Sequence, residues 1–310
     1  MVRRFVTLAA VAASAVTAPV EARAPTALEH LLHVDRKTVL IASHRACWKK
    51  TSENSLDGIE RCIADGIDIV EIDVRTTRDG ALMLMHDETV DRTTDGRGAI
   101  ADLTAADIAR LHLRKKGGGA SAPLTGRRVP TFDEALRAVR GRVLMNIDVK
   151  AAALDRIIDA VAAAGATADV ILNVPVDVDP RIAGRARSLG IAIQPLYLQR
   201  ESKLSLDDAM VRAIALGPTL IQLIFDDPTV VARARADSDG GTRPRLFVNT
   251  MAFDIASGTP MNLSGPLVDT QAVVDPDQIW GRLIGEGVTV IQTDEPWRLQ
   301  AWLRQKGLRR

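Results

Sequence analysis

Aromatic residues are scarce in this chain. One Tyr, four Trp and five Phe make up 3% of its 310 residues, too few for extended platforms on which bases or sugars would stack. Neither sign of charge is in excess: 40 Lys and Arg face 39 Asp and Glu, a formal net charge of +1. That balance removes the electrostatic case for nucleic acid as a partner. Helical segments carry no long heptad pattern, so nothing argues for a coiled-coil dimer. No internal repeat or long linker divides the chain. What remains is ordinary globular composition, 46% hydrophobic and 25% charged, with enough apolar material for a sizeable core.

Apolar runs of membrane-spanning length are missing too. The nearest is the Ala-rich stretch from Phe5 to Val20, preceded by Arg3 and Arg4. It has the length of a signal-peptide core and is too short and too weak to span a bilayer. Ala22-Arg23-Ala24 fits the small-x-small cleavage pattern, which gives a signal peptide over 1–24 and makes Pro25 the first mature residue. Cleavage after Ala22 is the alternative, and an uncleaved anchor is the competing reading. The mature protein, 25–310, is therefore expected to be exported from a bacterium, periplasmic or secreted, with no stable membrane span. Only two cysteines are present, Cys47 and Cys62. An oxidising compartment permits a bridge. Cys62 falls within a helical pattern and Cys47 in a loop, however, and nothing in the sequence fixes their separation, so two free thiols are expected.

After residue 38, apolar β-branched runs alternate with helix-period segments. The runs predict eight strands, at 39–43, 67–74, 143–149, 169–174, 192–198, 219–225, 245–250 and 288–293. Most are continuously apolar, as parallel strands buried on both faces should be. Helices are predicted at 55–65, 131–139, 152–164, 180–189, 206–216, 229–236, 275–286 and 297–306. Thr131 stands three residues before Glu134, a capping-box spacing, and Gly66, Gly165, Gly190, Gly217 and Gly287 follow helices where a left-handed residue is wanted. Eight strand–helix pairs in about 270 residues predict a (β/α)8 TIM barrel, a single α/β domain. The competitor, a doubly wound sheet, would carry a Gly-rich turn after its first strand, and Ser43-His44-Arg45-Ala46 is not one. Two stretches break the rhythm. Asp79-Gly80 turns strand two into a hairpin, and an insertion at about 87–130 follows it, with Gly117-Gly118-Gly119 as a mobile segment. An extended loop, 251–274, follows strand seven. Both would project from the barrel face where strands end and wall a site there.

The polar clusters sit at those strand ends. Glu71 and Asp73, two apart on one strand, point to the same face. Paired carboxylates on a buried face repel each other unless a cation neutralises them. Asp148 on the next strand completes a three-carboxylate set, whose oxygen-only chemistry suits one divalent cation, Mg2+ or Ca2+. A metal-free salt-bridge network of Glu71, Asp73, Arg45 and Lys150 is the other reading. His44 and His86 end neighbouring strands. A lone histidine there is more often packed than catalytic; two beside carboxylates suit proton transfer at either end of a displacement. Arg45 and Lys150 match a phosphate. Glu53 and Asn54 read as groups that orient the site or as caps of the helix that follows. Asp294 reads as the holder of a basic site residue or as a cap of the last helix. Trp48, Asn249, Phe253 and the 251–274 loop are candidates for the wall of a leaving-group pocket. The set fits phosphoester cleavage better than glycoside hydrolysis, which needs neither metal nor Arg.

Six of these clusters in order, His44-Arg45, Glu53-Asn54-Ser55, Glu71-Ile72-Asp73, Arg78-Asp79-Gly80, His86-Asp87 and Arg92-Thr93-Thr94-Asp95-Gly96, resemble the glycerophosphodiester phosphodiesterase family. So do Pro130-Thr131-Phe132-Asp133-Glu134-Ala135-Leu136, Asp148-Val149-Lys150 and Gln292-Thr293-Asp294-Glu295-Pro296. The resemblance covers about 39–306 and is weakest over 165–245. It implies a TIM barrel with an insertion after strand two, and metal-dependent hydrolysis of glycerophosphodiesters to glycerol 3-phosphate and an alcohol. It also implies metal ligands Glu71, Asp73 and Asp148, an acid–base pair His44 and His86, and phosphate binding by Arg45 and Lys150. Three positions depart from the family pattern: Ala46 stands where Gly is usual, Asp148 where Glu is frequent, and Ser55 where Thr is common, the last a neutral exchange. The resemblance leaves three other readings: lysophospholipase-D or sphingomyelinase-D-like action on intact lipids, a sugar-phosphodiester substrate, or a barrel that binds phosphodiesters without cleaving them. Action on lipids would want exposed apolar residues at the mouth, for which Leu263, Pro266, Leu267 and Val268 are candidates.

Overall fold

The computed structural model describes residues 38–237 and 244–309; the expected signal peptide, 1–24, lies outside them. Eight parallel strands close into a barrel. In chain order they are β1 (Leu40–Ser43), β2 (Ile69–Thr76), β6 (Leu144–Ala151), β7 (Val170–Pro175), β8 (Ala192–Leu198), β9 (Leu220–Ile224), β10 (Arg245–Asn249) and β11 (Val288–Thr293). Each pairs with the next, and β1 pairs with both β11 and β2, which completes the ring. The eight predicted strands are these eight, and the TIM barrel is the fold of the chain. Helices pack outside, against the large apolar layer that lies between them and the strands. The helix Phe132–Val139 starts at the predicted capping box, with the Thr131 hydroxyl accepting from Glu134 N and the Glu134 carboxylate accepting from Thr131 N. The predicted helix 275–286 is divided: a π-helical turn, Asp277–Gly281, precedes a short helix, Arg282–Gly285.

Side chains of a strand alternate between faces, and here the eight strands alternate in step. Ala42, Ile69, Leu144, Ile171, Ala192, Leu220, Phe247 and Val290 belong to one apolar cluster that plugs the barrel interior. Two residues farther along, the same face carries His44, Glu71, Asn146, Asn173, Gln194, Gln222, Asn249 and Gln292. One more step of two brings Asp73, Asp148 and Asp294. The barrel therefore has an apolar floor, a layer of amides with one His and one Glu, and an acidic mouth.

The insertion is ordered around its own small core, which includes Met83, Met85, Val90, Ile108 and Leu113. The short strand β3 (Leu82–Leu84) runs antiparallel to β2, and β4 (His112–Arg114) pairs with β5 (Leu124–Arg128) in a separate two-stranded sheet. The segment 117–119, expected to be mobile, is hydrogen-bonded in place instead. The Gly117 carbonyl accepts from Arg92 Nη1, and Gly119 N donates to the Arg92 carbonyl at 2.7 Å. Gly118 (φ 73) is required there, because a Cβ would meet the Arg92 carbonyl oxygen at 2.3 Å.

The two cysteines form a disulfide, which corrects the expectation of free thiols. Cys62 faces inward from the helix Leu56–Ala64, and the loop after β1 folds back until the two Cα atoms are 5.7 Å apart. That approach comes from three consecutive residues in the left-handed region, Arg45 (φ 44), Ala46 (φ 58) and Cys47 (φ 55), a turn no sequence pattern announces. Gly58 admits it: a Cβ there would lie 2.1 Å from the Ala46 carbonyl oxygen. Among the described residues no helix is long and apolar enough to cross a membrane.

Candidate active site

Asp73 on β2 and Asp148 on β6 are register partners, and Glu71 lies one step below Asp73 on the same face. One carboxylate oxygen from each residue lies within 4.8 Å of the other two. Around them runs the network that the alternative reading anticipated. Lys150 Nζ is 2.7 Å from Asp148 and 3.4 Å from Asp73, and Arg45 Nε is 3.5 Å from Asp73. Asn54 clasps Asp73 twice: its amide donates to Oδ2 at 2.8 Å, and its carbonyl oxygen accepts from Asp73 N at 3.0 Å. Burial alone would raise the Asp73 pKa, but Lys150, Arg45 and His86 outweigh it and hold the carboxyl well below its usual range.

Glu71 is treated differently. Its Oε2 accepts from Arg45 N at 2.8 Å and from the Gln292 amide at 3.4 Å, both neutral donors. Among the described residues it makes no ion pair. Burial, then repulsion from Asp73 and Asp148, pushes its pKa well above the usual value. The salt-bridge network thus pairs Asp73 and Asp148 and leaves Glu71 without a cation. Three hard oxygen donors with one carboxylate uncompensated are the donor chemistry that a small divalent cation fits.

Each histidine is held by Nδ1. His44 Nδ1 lies 2.9 Å from Asp294 Oδ1, and His86 Nδ1 lies 2.9 Å from Asp87 Oδ1. A ring fixed at one nitrogen presents the other, Nε2, for proton transfer. Asp294 also accepts from the Trp48 indole N–H at 2.5 Å. Asp294 therefore holds a basic site residue, whereas Glu295 occupies the cap position of the last helix. Behind Asp294 sits Asp269, whose carboxyl accepts from Asp294 N (2.8 Å) and from the hydroxyls of Thr250 (2.6 Å) and Thr293 (2.7 Å). Burial is the main reason that its pKa is raised to about 7.

The second dyad has a different neighbourhood. Asp87 receives a bidentate fork from Arg92, at 2.7 and 2.8 Å, and the same guanidinium forks onto Glu53, at 2.7 Å to each oxygen. Glu53 also accepts from Arg45 Nη1 at 3.3 Å. Glu53 and Asn54 thus orient site residues, and the capping of the helix Leu56–Ala64 falls to Ser55. Arg45 is fully buried, and among the described residues its Nε and Nη2 have no hydrogen-bond partner.

Sequence reasoning quoted Asp87 and Arg92 only as parts of a motif and gave neither a role. The signal was the spacing: an acid beside His86 and an Arg five residues on. Gln292 carried a signal in the i, i+2 alternation of β11. Asp269 had none, because it follows an aperiodic loop.

Beside the His44 dyad a cavity of about 570 Å³ opens, walled by Trp48, Gly117, Phe253, Ile255 and Val273 with Asp269 and Asp294 at its base. Trp48, Phe253 and part of the loop after β10, three elements named for a pocket wall, line this cavity. Asn249 belongs to the amide layer instead, accepting from Gln222 at 3.1 Å. The apolar residues singled out for lipid contact do not form an exposed patch: Leu267 is buried, Leu263 and Val268 are half-buried, and only Pro266 is exposed.

Residues 44–187 match the model of the glycerophosphoryl diester phosphodiesterase family, and residues 197–303 match a second model described as a domain of unknown function. A glycerophosphodiester phosphodiesterase of Caldanaerobacter subterraneus is 40% identical over 115 residues, 37% of this chain and 46% of that protein. Mouse glycerophosphodiester phosphodiesterase 1 is 36% identical over 122 residues, 37% of this chain and 35% of that protein. The chain thus matches less than half the length of these relatives. Among solved structures, a glycerophosphoryl diester phosphodiesterase from Parabacteroides distasonis superposes with a TM-score of 0.68 at 21% identity, covering 90% of this chain and 92% of that one. An Oleispira antarctica phosphodiesterase in complex with the product sn-glycerol-3-phosphate gives 0.59 at 18% identity, covering 86% and 97%.

Proposed function

We propose, from the match of residues 44–187 to the glycerophosphoryl diester phosphodiesterase family, that this chain hydrolyses glycerophosphodiesters to glycerol 3-phosphate and an alcohol. The observation that carries the reading is one convergence. Glu71, Asp73 and Asp148 meet at the barrel mouth, flanked by two histidines that are each anchored at Nδ1 by an aspartate. The product complex of the Oleispira protein supports the same substrate class.

Glu71, Asp73 and Asp148 would hold one divalent cation, Mg2+ or Ca2+, which when bound supplies positive charge against the phosphate oxygens. Lys150 and Arg45 add fixed positive charge, and Arg45 Nη2, which has no hydrogen-bond partner among the described residues, is a donor that a phosphate oxygen would satisfy. His44 takes the proton from the attacking hydroxyl, whether of the glycerol or of water, as the new P–O bond forms. His86 gives a proton to the departing alcohol oxygen as the old P–O bond breaks. The partners of the two histidines support this assignment: among the described residues Asp294 has His44 as its one ion-pair partner, whereas Asp87 beside His86 is shared with Arg92. An exported, oxidising location is part of the same proposal, supported by the signal-like composition of 1–24 and by the disulfide.

The deciding experiment measures glycerol 3-phosphate release from a panel of glycerophosphodiesters after EDTA treatment, with Mg2+ or Ca2+ added back. Release that falls on chelation and returns with metal is the expected result. Silence on every diester with every cation would refute the reading.

A further inference from the structure

Asp269 is buried, makes no ion pair among the described residues, and is repelled by the neighbouring Asp294 carboxylate. A neutral side chain would be easier to bury there. What Asp269 offers in exchange is acceptance from three donors with both of its oxygens, which no neutral side chain of that size can match. Oδ1 takes the hydroxyls of Thr250 (2.6 Å) and Thr293 (2.7 Å), and Oδ2 takes Asp294 N (2.8 Å).

Those contacts fasten one turn. Thr293 and Asp294 are consecutive residues where the chain leaves β11, and Thr293 Oγ1 also accepts from Glu295 N at 2.9 Å. The same turn is tied to His44, whose backbone N–H donates to the Thr293 carbonyl at 3.3 Å. Asp269 is itself fixed from the other side: its N donates to the Thr250 carbonyl at 2.6 Å, and Thr250 N donates to the Gln292 carbonyl at 2.8 Å. The ends of β1, β10 and β11 and the return of the loop after β10 are thereby locked together around the 2.9 Å contact of His44 Nδ1 with Asp294.

The two histidine anchors are aimed in different ways. Asp87 is aimed through its side chain, by the Arg92 fork. Asp294 is aimed through its backbone by Asp269 and through its side chain by the Trp48 indole N–H. The backbone contact sets where the carboxylate starts from, and a misplacement of about 1 Å at a reacting constellation lowers a rate on the order of 10²-fold.

We propose that Asp269 is a positioning residue for proton transfer at His44: it holds the Asp294 backbone so that the Asp294 carboxylate meets His44 Nδ1 and leaves Nε2 facing the substrate. The proposal rests on the reading of His44 as a proton-transfer group; the hold on the ring is present without any reaction.

Two measurements on the full chain test it and separate its failure from failure of the phosphodiesterase reading. The first needs no turnover. Long-range 1H–15N spectra of the histidine rings report which ring nitrogen carries the proton. Asp269→Leu keeps the branching at Cγ and removes every acceptor. In that variant the His44 nitrogen shifts are expected to move toward those of an unanchored ring, while those of His86, which depend on Asp87, stay. Asp269→Asn keeps an oxygen for Asp294 N and should resemble wild type. His44 shifts unmoved in Asp269→Leu overturn the proposal.

The second is a double-mutant cycle with Asp294→Asn, read as kcat and KM on a glycerophosphodiester in Mg2+ or Ca2+. Asp269→Leu alone should lower kcat roughly tenfold to a hundredfold with KM little changed, and Asp269→Asn should stay within about threefold of wild type. In the Asp294→Asn background Asp269→Leu should lower kcat less than about threefold, since the anchor it positions is already disabled. A residue that only supports the fold would lower kcat equally in both backgrounds. That equal loss, or no loss at all in Asp269→Leu, overturns the proposal and leaves the phosphodiesterase reading intact. Should the leucine variant not fold, Asp269→Ala, whose space a water can enter, replaces it with the same expectations. Wild type that cleaves no diester removes the phosphodiesterase reading, and the histidine spectra then decide whether Asp269 holds the ring.

Discussion

At the scale of single residues the site is organised by what stands behind the groups that would touch substrate. Among the described residues Asp294 has no ion-pair partner but His44; burial would raise its pKa, but that histidine, the Trp48 indole N–H and Lys49 hold the carboxyl below the usual range. Asp87 shares its charge with Arg92. Replacing Asp294 by Asn keeps the shape and removes the anion that would balance a protonated His44. Asp294→Asn is therefore expected to lower kcat by about 10²- to 10⁴-fold, the range for losing general acid–base assistance, while KM changes little. Steady-state kinetics on a diester checks this; kcat within threefold of wild type would rule out the base role of the dyad. Arg92 acts one step farther out. Its two forks tie Asp87 to Glu53, and a lysine cannot make two bidentate contacts. Arg92→Lys is expected to reduce kcat with a smaller effect than Asp294→Asn, measured in the same assay.

At the scale of elements, the loop between β1 and the helix Leu56–Ala64 carries His44, Arg45 and Trp48 on a turn with three successive left-handed non-glycine residues. Each such residue stores about 1 kcal/mol or more of backbone strain, so the turn persists only because its surroundings fix it. The Cys47–Cys62 disulfide and the hydrogen bonds from Arg45 N and Ala46 N to Glu71 are those fixings. Cys47→Ser with Cys62→Ser opens a loop of sequence separation 15, for which chain entropy predicts a loss of about 3 kcal/mol. Urea denaturation should show it as a lower midpoint, and kcat should fall as the loop relaxes. An unchanged midpoint would mean that packing alone fixes the turn. This element also marks where the sequence stopped being informative. Its ligand-bearing residues were legible as types, His44, Arg45, Glu53 and Asn54, because polar groups next to apolar strands need partners. The bridge was not, because a left-handed turn in Arg-Ala-Cys has no sequence signature, glycine being the usual signal. The insertion was legible in extent but not in its anchoring, since Arg92 reaches Gly117 through tertiary structure alone.

At the scale of the whole molecule, the barrel was legible because burial on both faces writes itself as continuous apolar runs, and its interior layers follow from the period of two. The three carboxylates emerge from the same arithmetic on β2 and β6. Asp269 does not. It follows an aperiodic loop and reaches Thr250, Thr293 and Asp294 only once β10 and β11 are adjacent. It nevertheless bears on the stability of the entire fold. With its pKa raised to about 7, chiefly by burial, against about 3.9 in an unfolded chain, the folded state keeps a proton that the unfolded state releases. Stability from this group is full below about pH 4, declines as pH rises towards 7, and stays lost above it, by on the order of 4 kcal/mol. Asp73, Asp87 and Asp294 act in the opposite sense: their depressed values stabilise the fold above the unfolded pKa, and that contribution is lost in acid. Asp269→Asn imitates the protonated form, with an amide that donates to the threonine hydroxyls and an oxygen that accepts from Asp294 N. The fall in the unfolding midpoint between pH 5 and pH 8 should therefore be smaller in the variant than in wild type, the remainder belonging to groups such as Glu71, whose pKa burial also raises. Equal pH dependence in the two proteins would show that Asp269 is ionised across the range and that the barrel tolerates its charge beside Asp294.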